Sequence, residues 1–155
     1  MVIVMSKQIK YDNVLAKTES IFLGKLKLSS QAKMSLVASM LHNEFSHWIF
    51  CGFYVTTEST ILEIGPYSGN ILPCTHIPEG RGVCGTSMKE KRAIIVNDVS
   101  LYDNYISCDS KTKSEIVVPV LKENLVIAVL DIDSPNVGEF DKTDKNSLIK
   151  ILSMV

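Results

Sequence analysis

In the stretch SSQAKMSLVASMLHNEF (29–45), the apolar positions Met34, Val37, Ala38, Leu41 and Phe45 recur at the spacing of one helix face. Ser29 or Ser30 precedes that face as an N-cap, since a hydroxyl accepts an orphan backbone N–H. A weaker helical pattern covers YDNVLAKTESIFLG (11–24), with Gly24 as its stop. The pattern then changes. WIFCGFYVT (48–56) is aromatic and β-branched, and reads as a strand. Period two puts Phe50, Gly52 and Tyr54 on one face, and Ile49, Cys51, Phe53 and Val55 on a core-like other face. TESTILEIGPY extends this strand into a hairpin turning near Thr57 to Ser59. AIIVND (93–98) and SEIVVPVL (114–121) are two more strands, and the turn KEN leads into LVIAVLDIDS (125–134), an antiparallel partner for the second. A final helix starts at Asp141, with Asp144 in its first turn and Leu148, Ile151, Leu152 and Val155 on one face. This order predicts an α+β chain, one domain over 1–155, with a central antiparallel sheet flanked by helices. Between Asp98 and Ser114 lies a structureless run too long for a simple connection, of the kind that is functional or disordered.

Composition narrows the function classes. Apolar residues make up 46% of the 155 and charged ones 21%, which suits a globular chain. Sixteen basic and seventeen acidic side chains leave a formal charge of −1, against the clustered positive surface that nucleic acid requires. The opening MVIVM is too short an apolar run for a signal peptide, and no stretch approaches a membrane span. A cytoplasmic protein is expected, without nucleic-acid or membrane partners, and there clustered thiols stay reduced and serve as ligands, nucleophiles or switches.

Three of the four cysteines, Cys74, Cys84 and Cys108, fall in one loop-rich run. Zinc ligands come in close pairs, and here Cys74-Thr75-His76 alone is close. Cys51, by contrast, reads as a small buried hydrophobe. Cys84 follows EGRG and opens the short helix VCGTSMKEK, where the helix N-terminus would stabilise a thiolate. Lys111 and Lys113 favour a thiolate at Cys108, while Asp109 opposes it. In VLDIDS, Asp131 and Asp133 project from one strand face, with Leu130 and Ile132 on the other. Paired carboxylates on a sheet bind something positive or share a proton, unless the strand end simply dips into solvent. Glu115 on the neighbouring strand reaches the same place, and Phe50 and Tyr54 offer an apolar wall. Acids, thiols and an apolar wall together suggest a small cationic ligand, such as an amino acid, undergoing sulfur chemistry.

CTHIPEGRGVCG, then DV, ISCD, SEIVVP and VLDIDS, with cysteine spacings of 10 and 24 residues, resemble the free methionine-(R)-sulfoxide reductases, single GAF-domain enzymes. The resemblance runs from GFY at 52–54 to FDKTD at 140–144. It implies a GAF-like fold and reduction of free L-methionine (R)-S-oxide to methionine. A cysteine sulfenic acid and an intramolecular disulfide would carry the reaction, thioredoxin would be the reductant, and no metal or organic cofactor would be needed. Carried over by position, Cys108 is the attacking thiol, Cys74 resolves, and Cys84 is an alternative in either role. Glu115, Asp131, Asp133, Tyr54 and Phe50 would bind substrate, with one acid kept protonated as a donor to the sulfoxide oxygen. The family pattern has tryptophan where this chain has Phe50, and Trp48, on the same strand face, is expected to compensate. The sequence leaves oligomeric state open, and the resemblance implies helix 29–45 and the last helix as the surfaces of any homodimer. A non-catalytic GAF module that binds a small molecule, or a thiol redox sensor, is the alternative.

Overall fold

The computed structural model describes residues 5–58 and 60–155. Residues 1–4 of the apolar opening and Ser59 of the expected turn lie outside the described residues. The element order is α1 (Lys7–Phe22), α2 (Ser30–Glu44), β1 (Phe50–Glu58), β2 (Ile61–Gly69), β3 (His76–Pro78), α3 (Gly82–Glu90), β4 (Ile94–Val96), β5 (Ser114–Lys122), β6 (Leu125–Ser134) and α4 (Lys142–Leu152). The strands form one sheet in the order β3-β2-β1-β6-β5-β4, and every neighbouring pair is antiparallel. No helix among the described residues is long and apolar enough to cross a membrane.

Local chemistry sets the helix ends. The Ser29 hydroxyl accepts from Ala32 N–H to start α2, as its sequence pattern predicts. α1 starts earlier than expected because Ser6 caps it by accepting from Ile9 N–H, and its stripe of Tyr11, Val14 and Thr18 is buried. α4 opens with a capping box in which Asp141 accepts from Thr143 N–H and Asp144 accepts from Asp141 N–H. Asp144 also accepts from the Tyr11 hydroxyl at 2.7 Å and pairs with the Lys7 ammonium at 2.6 Å, tying α1 to α4. The β5–β6 hairpin turns through Glu123 (φ 50°) and Asn124 (φ 64°), the left-handed pair that matches strand twist.

Strand alternation divides the interior in two. Cys51 and Phe53 of β1, Ile116, Val118 and Val120 of β5, and Ala128, Leu130 and Ile132 of β6 pack against α1, α2 and α4. Phe50, Tyr54, Val117 and Val129 face the other way, onto α3 and its flanking segments. Ile49 packs with this second set rather than beside Cys51, because β1 begins only at Phe50 and period two does not extend back to it.

Two expectations for the connecting segments are corrected. β3 falls inside a run read as loop; its three residues pair with Ile61, Leu62 and Glu63 of β2. α3 packs closely behind it at Gly85, where a Cβ would collide with the Pro78 carbonyl oxygen. The 98–114 run is not structureless. It holds a 3₁₀ turn over Val99–Leu101 capped by Asp98, Val99 N–H donates to Lys113 O, and Lys113 N–H donates to Ser134 O at the end of β6.

Candidate active site

Register brings the acids together. Asp133 of β6 stands opposite Phe50 of β1 on one side and Glu115 of β5 on the other. Asp131, two residues back, stands opposite Gly52 and Val117. All three carboxyls are buried, at 5% exposure for Glu115, 6% for Asp131 and 7% for Asp133. From the far wall α3 contributes Cys84, whose Sγ lies 4.0 Å from Glu115 Oε1. Among the described residues, no salt bridge reaches Glu115, Asp131 or Asp133.

Burial without a counter-charge disfavours every anion in this pocket. Desolvation, and then the Asp131 and Asp133 charges, hold Glu115 well above the usual carboxylate range. Asp133 is raised likewise by desolvation and by Asp131. Burial pushes Asp131 up to about 7, opposed by hydrogen bonds from Glu115 and Cys84. The Cys84 thiol is also raised well above its ordinary value, by desolvation first and then by the three acids. The expected helix-stabilised thiolate at Cys84 is therefore overturned. The third residue of a short helix, sealed against carboxyls, meets more negative charge than the helix end offsets.

Cys74 and Cys108 form a disulfide with a Cα–Cα distance of 5.3 Å, joining the segment before β3 to the 98–114 loop. Both are half-buried, and Cys108 lines the same pocket as Phe50, Tyr54, Cys84 and the three acids. Tyr105, Ile106 and Thr112 of the loop and Val83 of α3 complete its roof. The free space within it is about 20 Å³, room for about one water. Phe50 stacks on Tyr67 at 5.5 Å between ring centroids and lies 6.3 Å from the Tyr54 ring, so the two aromatics form one side.

The matching family model is described as a GAF domain and spans residues 35–153. The free methionine-R-sulfoxide reductase of Escherichia coli K12 is 35% identical over 124 residues, covering 80% of this chain and 74% of that one. The chain belongs to the free methionine-R-sulfoxide reductase family of GAF-domain proteins. The X-ray structure of the Neisseria meningitidis free methionine-R-sulfoxide reductase in complex with its substrate superposes with a TM-score of 0.90 at 34% identity, covering 99% of this chain and 90% of that one. GAF domain-containing protein A of Dictyostelium discoideum is 36% identical over 150 residues, 97% of this chain and 92% of that one.

Within this GAF fold the eight residues singled out from sequence converge on one pocket or its mouth. Trp48 does not compensate for the tryptophan missing at Phe50. It stacks on Phe45 at 4.2 Å on the helix side of the sheet, and its indole N–H points to Glu139. The sequence pattern does not single out Tyr105, Ile106, Thr112 or Val83, which line the pocket. The one signal for the first two is their place in the long loop beside Cys108, because an aromatic or aliphatic side chain in a loop carries no period.

Proposed function

We propose that the chain reduces free L-methionine (R)-S-oxide, with the Cys74–Cys108 pair as the redox couple. The observation that carries this reading is the disulfide lying over a pocket of buried carboxyls held protonated. In the reduced protein the Cys108 thiolate attacks the sulfoxide sulfur, and Glu115 or Asp133 gives a proton to the oxygen. Oxygen passes to Cys108, leaving methionine and a Cys108 sulfenic acid. The Cys74 thiol displaces that oxygen as water and forms the disulfide. A dithiol reductant, with thioredoxin the natural choice, restores both thiols by exchange.

Cys108 suits the attack better than Cys84, whose thiol is sealed against three acids and raised by them. Cys84 is assigned to the wall, and Phe50 and Tyr54 to the apolar side that takes the S-methyl group. The carboxyls also suit a free ammonium, which a methionine inside a polypeptide lacks. An amino acid does not fit a 20 Å³ space, so the 98–114 loop withdraws when the disulfide is reduced. The chain then works as a single GAF domain in a reducing, cytoplasmic compartment, and α2 and α4 offer surfaces for a second copy.

The test is NADPH consumption with thioredoxin and thioredoxin reductase, supplying the separated R and S epimers of free methionine sulfoxide. Turnover is expected with R alone and is lost in Cys108→Ser. Turnover with neither epimer, from folded protein with free thiols, would overturn the reading.

A further inference from the structure

The pocket of the disulfide-closed chain is too small for an amino acid and large enough for one small ion. Into it point the Cys84 Sγ, a Glu115 carboxylate oxygen and an Asp131 carboxylate oxygen, all within 4.8 Å of one another. Asp131 Oδ1 is, among the described residues, the buried side-chain oxygen left with no hydrogen-bond partner, although its residue is only 6% exposed. A buried acceptor without a partner calls for a donor or a cation. One thiolate and two carboxylates are a zinc-type donor set. Metal bonds of about 2.3 Å to sulfur and about 2.1 Å to oxygen put tetrahedral donors roughly 3.5 Å apart, so these groups need to close by about 1 Å. Magnesium and calcium favour six or more oxygen donors, which this cavity does not supply.

We propose that Cys84, Glu115 and Asp131 form a site for one thiophilic divalent cation, of the zinc and cadmium class, filled while the Cys74–Cys108 disulfide is closed. Binding makes one sulfur–metal and two oxygen–metal bonds and expels the protons those groups carry. No turnover is required, so the site stands apart from the proposed reductase activity. Its one consequence for that activity, exclusion of substrate by bound cation, rests on the proposed function.

The oxidised, chelator-stripped full chain is titrated with Cd²⁺ and read by the ultraviolet thiolate-to-cadmium charge-transfer band. One Cd²⁺ per chain is expected, displaced by Zn²⁺ and not by Mg²⁺. The band is lost in Cys84→Ser and kept in Cys51→Ala, since Cys51 lies in the helix-side core. Asp131→Asn and Glu115→Gln each weaken binding by at least about tenfold, and Glu115→Gln carries the comparison should Cys84→Ser not fold. Absence of the band in folded oxidised protein, its survival in Cys84→Ser, or displacement by Mg²⁺ would each overturn the proposal. Because oxidised protein is used, failure here leaves the epimer assay, and the reading it tests, untouched.

Discussion

Gly52 stands opposite Asp131 in the β1–β6 ladder, and the side chains of Phe50 and Tyr67 limit what its position can hold. A Cβ on Gly52 would meet Tyr67 Cβ inside van der Waals distance and come within 2.8 Å of Phe50 Cζ. Gly52→Ala is therefore expected to destabilise the chain by about 2 kcal/mol and to displace the Phe50 ring; chemical denaturation and near-ultraviolet circular dichroism check both effects. The acid cluster makes a second prediction. Burial raises Asp131 from 3.8 to about 7, so between those values the folded chain holds a proton that the unfolded chain has lost. Stability is then fully present below the lower value and falls as pH rises from it to the upper one, by up to about 1.4 kcal/mol per pH unit for each such proton. Glu115 and Asp133, raised in the same direction, extend the fall. Melting temperature is expected to drop between pH 5 and 8, and Asp131→Asn to flatten that slope; a steeper slope in the variant would refute the account.

At the scale of elements, α4 depends on one side chain at its N-terminus. Asp144 is fully buried, closes the capping box, accepts from Tyr11 and pairs with Lys7. Asp144→Ala removes all of these at once and strands a buried tyrosine hydroxyl, while the Lys7 ammonium keeps Asp141 Oδ2 and the Glu139 carbonyl. A loss of about 3 kcal/mol is expected in urea denaturation, with Tyr11→Phe losing about 1 kcal/mol. Neither variant touches the pocket, so epimer selectivity should stay unchanged in both. α3 positions a reactive group instead. Its close seat against β3 at Gly85 holds Cys84 over the acids, while the loop after β4 brings Cys108 to the same opening.

For the whole molecule, the disulfide closes 34 residues of separation, spanning β3, α3, β4 and most of the loop. Constraint of the unfolded chain by a loop of that size is worth roughly 3–4 kcal/mol. Reduction by dithiothreitol is expected to lower stability by about that much in the wild-type chain and by nearly nothing in Cys74→Ser or Cys108→Ser. On the proposed mechanism the same reduction frees the loop over the pocket. Methionine binding by calorimetry is therefore expected in the reduced chain and absent in the oxidised one; equal binding in both states would contradict loop withdrawal.

Periodicity alone located α2, β1, β5, β6 and α4, because each carries an apolar stripe or alternation strong enough to override its neighbours. It also placed Asp131 and Asp133 on one face, since strand geometry leaves no other arrangement once β6 is a strand. β3 was not legible: three residues flanked by loop have no period, and they become a strand only because β2 offers an unpaired edge. Trp48 was misplaced for a related reason, as alternation has no force before the first paired residue of β1. The behaviour of Cys84 belongs to tertiary structure entirely. A helix N-terminus favours a thiolate within its first turn, but the thiol's ionisation answers to everything packed around it, and the sheet presents three carboxyls there. Residue order along each element settles which side chains share a face. Which of those faces meet around one pocket follows only from the packed fold, because burial and charge act through space rather than along the chain.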